Sequence, residues 1–155
     1  MGRFIPNENT WVGFATTLTG TPAAPKVADV TGAVDLTHFV SSLNATAQGN
    51  AVPTPAFDTL FETSIVGTSQ GTFTGDFYRD DSADTAWTTL PRATKGFFII
   101  ARYGGIPDTA ADKCEVWPVQ VLSRAMANMA NNTVSTFTLT CSVPDEPAED
   151  AVVVA

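Results

Sequence analysis

Gly71–Tyr103, GTFTGDFYRDDSADTAWTTLPRATKGFFIIARY, reads as strand, short helix, strand. From Gly71 to Arg79, Phe73, Phe77 and the stem of Arg79 share one face; Thr72, Thr74, Asp76 and Tyr78 share the other. A period of two marks a half-buried strand. The period then changes. Ala83, Ala86, Trp87 and Leu90 form one stripe of a helix over 82–90. Asp81 or Ser82 is placed to cap it, and Pro91 ends it. Gly96 then releases a second strand, Phe97–Tyr103, apolar on both faces through Phe97, Phe98, Ile99 and Ile100. Such a strand is central or covered on its second face. The helix is the expected cover, with Trp87 and Leu90 as its anchors on that sheet.

Upstream, Phe57–Thr68 reads as a strand, and GTSQG (Gly67–Gly71) as a hairpin turn. Folding about Ser69 pairs Phe61 with Phe77 and Ile65 with Phe73. It also sets Glu62 opposite Asp76, a destabilising pairing of like charges. Asn44–Pro55 shows no periodicity and no charge, and reads as a long loop. Val27–Leu43 holds one or two strands, with Val34, Leu36, His38 and Val40 alternating against polar residues. Trp11–Leu18 is a first short strand, and 1–10 an arm without core residues.

Downstream, Lys113–Ser123 and Thr133–Val143 form a hairpin. Folding about Ala127 and Asn128 pairs Val116 with Leu139, Pro118 with Phe137 and Cys114 with Cys141, making both faces coherent. The tail 144–155 is acidic, then apolar, with no turn chemistry to dock it. The domain expectation is therefore an arm 1–10, one β-domain 11–143 with loop 44–55 and helix 82–90, and a tail 144–155.

The length of 155 residues fits one domain with its own core. Only 15% of residues are charged; Thr and Ser supply polarity instead, which favours an all-β, hydroxyl-covered protein. A net charge of −8 disfavours binding to nucleic acid. No apolar run is long enough to span a membrane, and no signal-peptide core is present, so a cytoplasmic origin is expected.

Nothing points to catalysis. His38 has no nucleophile or orienting partner around it and reads as structural. Two Cys, one His and scattered Asp do not make a zinc site. The hairpin register makes a Cys114–Cys141 disulfide conceivable; buried free thiols suit a cytoplasmic chain better. Asp80, Asp81 and Asp84 lack the glycine and terminal glutamate of a calcium loop, and helix capping explains them. No enzyme activity, metal or cofactor is expected.

The surplus parts point to assembly: an arm, a long uncharged loop and an apolar tail end. The order of segments is arm, Trp11 strand, AAPKVADVTGAVDLTHFV, long loop, FDTLFETSIVGTSQG, DDSADTAWTTLP, GFFIIARYG and VWPVQVLSRAMANMANNTVSTFTLTCSV, then an acidic, valine-rich end. It resembles, over nearly the whole chain, the major tail tube proteins of bacteriophages with long flexible tails. The resemblance implies a β-sandwich flanked by one helix. It implies hexameric rings stacked into a tube, with the subunits' sheets joined into one barrel around an acidic lumen that conducts DNA without binding it specifically. It implies residence in the virion tail, assembly in the host cytoplasm, and contacts with tape measure, tail terminator and distal tail proteins. By position, the loop residues Asn44, Thr46, Gln48, Asn50, Val52 and Pro53, and the arm residues Arg3, Phe4 and Ile5, match the family's inter-ring contacts. The valine-rich end has no counterpart.

On that reading the hydroxyl-acid face Glu62, Ser64, Thr72, Thr74 and Asp76 lines the channel. A wall that must not hold DNA gains from keeping both acids. The alternative is a soluble β-sandwich binding module, a virion decoration or a glycan- or protein-binding domain, with its site built from Trp11, Trp87, Trp117 and loops.

Overall fold

The computed structural model describes residues 9–155. The elements are β1 (Trp11–Ala15), α1 (Val27–Thr31), β2 (Val34–Asp35), β3 (Val40–Pro53), β4 (Ser64–Tyr78), α2 (Thr85–Thr89), β5 (Lys95–Ala101), β6 (Lys113–Met126), β7 (Thr136–Ser142) and β8 (Ala148–Val152). The strands form one antiparallel sheet in the order β2-β1-β5-β6-β7-β4-β3, with β8 added on β6. The fold is mostly β and sandwich-like, as the composition predicts.

The sheet doubles over along β6. Residues 115–120 of β6 pair with β5, and residues 120–126 pair with β7. The doubling shows in the core: Phe73 of β4 stacks on Phe98 of β5 at 4.5 Å, although β6 and β7 separate these strands in the sheet. Phe14, Phe77, Trp117, Phe137 and Leu139 complete this inter-layer core.

β5 is apolar on both faces because it separates two cores. Phe98 and Ile100 face the first; Ile99 and Ala101 face a second with Trp11, Val30, Val116, Ala151 and Val153. The cover on that second face is therefore α1 and the C-terminal segment, and not the Trp87 helix. Burial corrects the sequence reading of the tail. β8 pairs with β6, Val154 bridges to Lys26, and Ala151 and Val153 are fully buried. Gly96 lies inside β5, where a Cβ would sit 2.4 Å from the Phe14 ring.

Other expectations also change. Asn44–Pro53 is not a loop but most of β3, paired with β4 from Val40 to Pro53. Gly67–Gly71 is not a turn, because β4 runs straight through it. The connection is 54–63, so Glu62 stands near the hairpin tip, and the residue across from Asp76 is Ser42. Of the expected strand alternation over 34–40 only the two-residue β2 remains, followed by a 3₁₀ turn at Thr37–Phe39 that holds exposed His38. In the β6–β7 hairpin Leu139 faces Arg124, and Cys141 faces Val121 rather than Cys114. Both thiols are free and buried.

Candidate functional site

The most distinctive surface is the outer face of β3, β4, β7 and the C-terminal half of β6. On β4, Phe73 and Phe77 are buried inward while Thr72, Thr74 and Asp76 point out. Register then decides their neighbours. Thr72 lies between Thr46 and Ser142, Thr74 between Asn44 and Thr140, and Asp76 between Ser42 and Thr138. Ser42 Oγ donates to Asp76 Oδ2 at 2.9 Å, and Thr138 Oγ1 donates to Asp76 Oδ1 at 2.6 Å. The Thr46 and Thr72 hydroxyls pair at 2.8 Å. The result is a lattice of hydroxyls and amides with one carboxylate, Asp76, in its midst.

Three of the five residues expected on this face are thus together. Glu62 is not among them, being on the 54–63 connection. Ser64 is displaced by a bulge that sets Gly67 and Thr68 against Asn50. A bulge shifts the alternation by one residue. Ser64 accordingly follows the face of Val66, Ser69 and Gly49; a Cβ on Gly49 would lie 3.6 Å from both Val66 Cγ1 and Ser69 Oγ.

Among the described residues both borders of this face are open. Among them β3 is paired only with β4, and between Val40 and Val52 it carries neither charge nor proline. β6 loses β5 after Gln120, and the last backbone bonds on that side join Val121 to Ala93 and Thr94. Arg92 reaches the carbonyl of Leu122 beyond them. Unpaired edges of this kind are templates for pairing with another chain.

β3 and β4 also outrun the sheet. β7 covers β4 only from Thr72 to Tyr78, so Ala47–Pro53 and Ser64–Gly71 continue as a two-stranded arm. Its tip is apolar: Phe57 and Leu60 are fully exposed, and Phe61, Ile65 and Val66 largely so. The expected contact residues Gln48, Asn50, Val52 and Pro53 lie along this arm, and Asn44 and Thr46 stay in the sheet. Arg3, Phe4 and Ile5 lie outside the described residues. Sequence reasoning missed the tip; the cluster Phe57, Leu60, Phe61 was the signal, and it was assigned to a strand with a buried face.

Trp87 anchors α2, though on β7 and not β5. Its ring meets Phe137 edge-on at 5.1 Å and lies between the guanidiniums of Arg79 (4.2 Å) and Arg124 (3.7 Å). Arg124 Nη1 also donates to the Trp87 carbonyl at 2.7 Å. Leu90 and Ala86 enter the inter-layer core. The helix is shorter than expected, and neither Asp81 nor Ser82 caps it. Asp84, at φ 49°, stands at the cap position, and its carboxylate pairs with Arg79 instead. The hydrogen bond from Arg79 holds the Asp84 carboxyl below the usual range.

Asp29 is a buried carboxylate with a structural task. Burial pushes its pKa up, but amide donors from Thr19, Lys26 and Gly20 and the Thr19 hydroxyl outweigh that and bring it to about 2. Burial pushes the Cys114 and Cys141 thiols up to about 11 and about 12. Trp11 and Trp117 are buried, and Trp87 is enclosed by two arginines, so the three tryptophans do not form the shared binding site of the alternative reading. Among the described residues no group of three potential metal ligands is present.

The family model for the phage tail tube protein matches residues 1–155. The chain belongs to the phage tail tube protein family. A tail tube protein is a structural component of the phage tail, and the family is found in virion tails. No curated protein matches by sequence. Among solved structures, a chain of the virion of a native gene transfer agent particle is similar at TM-score 0.57 and 8% identity, over 95% of this chain and 97% of that one. A chain of an anti-feeding prophage baseplate, 6-fold symmetrised, gives 0.56 and 11%, over 94% and 95%. The tail of an empty gene transfer agent particle, refined helically with C6 symmetry, gives 0.52 and 12%, over 73% and 83%. At these identities the likeness is one of fold.

Proposed function

We propose that this tail tube protein closes into hexameric rings by edge pairing, β3 of one copy against the 122–126 end of β6 in the next. The rings stack into a tube whose bore is lined by the hydroxyl face. The observation that carries the reading is that face itself: four strands wide, wet and nearly uncharged, with an open edge on each side. Six is the symmetry of two of the similar particles. Four strands from each of six copies give a barrel of roughly 24 strands. At about 4.8 Å per strand and a tilt of about 40°, its backbone diameter is about 48 Å, wide enough for duplex DNA.

The bore carries one acid per copy, Asp76, and is otherwise neutral. The rest of the net charge of −8 resides elsewhere, with acids concentrated in 80–84, 108–112 and 145–150. DNA thus passes a wall of weak negative potential on its way to the host. The apolar arm tip lies against an adjacent ring, since three large side chains left in water within five residues mark a contact surface. Tape measure, terminator and distal tail proteins meet the bore and the two ends of the tube, and assembly takes place in the host cytoplasm.

A cysteine at Thr74 tests the orientation of the face. In unassembled Thr74→Cys protein it reacts with both a small maleimide and a maleimide carried on a bead wider than the bore. In assembled tubes only the small reagent reacts. Equal reaction of the bead with tubes would place the face outside.

A further inference from the structure

We propose that Asp76 keeps the channel wall from binding DNA by taking up the wall's own hydroxyl donors, and not by its charge alone. The inference rests on the bore assignment above and adds a mechanism to it. Serine and threonine hydroxyls are regular partners of nucleic-acid phosphates. A DNA conduit built from them carries a liability, because every free O–H is a potential phosphate contact, repeated around each ring and along the tube.

The geometry at Asp76 removes part of that liability. A carboxylate only accepts hydrogen bonds. Its two oxygens are met from opposite sides, by Ser42 on β3 and Thr138 on β7. Those hydroxyl protons are directed along the wall and away from the lumen. Charge-assisted bonds of this kind are about twice as strong as neutral ones, so a passing phosphate competes poorly for them. Elsewhere on the face the same economy recurs without charge: Thr46 pairs with Thr72, and Ser142 donates to the Gln120 carbonyl at 3.4 Å. Asp76 is the one position where a single residue occupies two donors at once and links three strands.

The account separates two effects. Asp76→Ala removes a negative charge and frees two hydroxyls. Asp76→Ala with Ser42→Ala and Thr138→Val removes the charge but leaves no freed hydroxyl at either position. Purified tubes of each variant are incubated with short fluorescent duplex DNA and washed at about 50 mM and about 200 mM salt, the range over which phosphate contacts lose their hold. Tube formation seen by electron microscopy and the melting temperature control for structure. The expected result is at least threefold more DNA retained by Asp76→Ala tubes than by wild type at the lower salt, with most of the excess lost in the triple variant.

Retention unchanged in Asp76→Ala overturns the inference. Retention equally raised in single and triple variants also overturns it, since charge alone would then be at work. Should Asp76→Ala fail to form tubes, Asp76→Asn is used; it keeps an acceptor for one hydroxyl but adds an amide donor, and the inference again predicts raised retention. If wild-type protein forms no tube at all, the bore assignment fails, and the same retention assay on monomers shows whether the donor account survives it.

Discussion

Trp87→Ala tests the packing of α2. Half-buried, the indole removes roughly 100 Å² from water, about 2.5 kcal/mol at the usual coefficient. The edge-on contact with Phe137 at 5.1 Å adds about 1 kcal/mol. The two guanidiniums add about 0.5 kcal/mol each at this level of exposure. Allowing for residual burial in the unfolded chain, the expected loss is about 3 kcal/mol. Urea unfolding at low protein concentration, followed by far-UV circular dichroism, measures it. Trp87→Phe keeps the Phe137 contact and should lose about half as much. Arg124→Met removes one cation and the bond to the Trp87 carbonyl and should cost about 1 kcal/mol. A loss below about 1 kcal/mol for Trp87→Ala would refute the reasoning and make the Arg–Trp–Arg stack a surface ornament.

The remaining predictions concern pH and assembly. Asp29 has its folded pKa lowered from 3.8 to about 2, so its stabilisation is complete above pH 4 and is lost as pH falls through 2. The linked energy is about 2 kcal/mol, and Asp29→Asn should flatten acid unfolding over that window in a pH-titrated melt. A variant with unchanged acid sensitivity would remove Asp29 from the account. Replacing Ala56–Phe61 with a Gly-Ser linker should leave the melting temperature within a few degrees of wild type, because the tip touches no core. It should abolish tube formation in electron micrographs, and normal tubes from this variant would show that the tip is not an inter-ring contact.

Strands with one dry face were legible in the sequence. The alternation of Thr72–Phe77 and of Thr136–Cys141 states which side is buried, and both strands form as expected. β3 was not legible, because its arm half is wet on both faces and Asn44–Asn50 carries no burial pattern. It is a strand through pairing with β4, a long-range cause that periodicity does not record. The glycines at 67 and 71 imitate a turn; in the structure they belong to a strand and its bulge.

The β6–β7 register was missed for a related reason. Leu139 pairs with Arg124, eight residues beyond Val116, but Cys141 pairs with Val121, seven beyond Cys114, because a bulge lies between Val121 and Ser123. Trp117, Val119 and Val121 therefore share the core of Leu139 and Cys141, while Cys114 and Val116 face the second core. Local alternation does not record a bulge, so it gives neither the face that β6 shares with β7 nor the length of the connecting loop. The C-terminal valines were visible as apolar, yet their partners on β6 and α1 lie far away in sequence. For the site, Thr72, Thr74 and Asp76 were readable from local alternation. Their neighbours Ser42 and Thr138, which give Asp76 its chemistry, depend on a sheet order that no local signal specifies.

Helical reconstruction by cryo-electron microscopy of tubes grown from the purified protein tests the central claim most directly. The account predicts six copies per ring, β3 of each paired with the end of β6 in its neighbour, and Thr72, Thr74 and Asp76 facing the bore. A reconstruction with these three residues on the outer surface, or with β3 left unpaired at the subunit boundary, would contradict it.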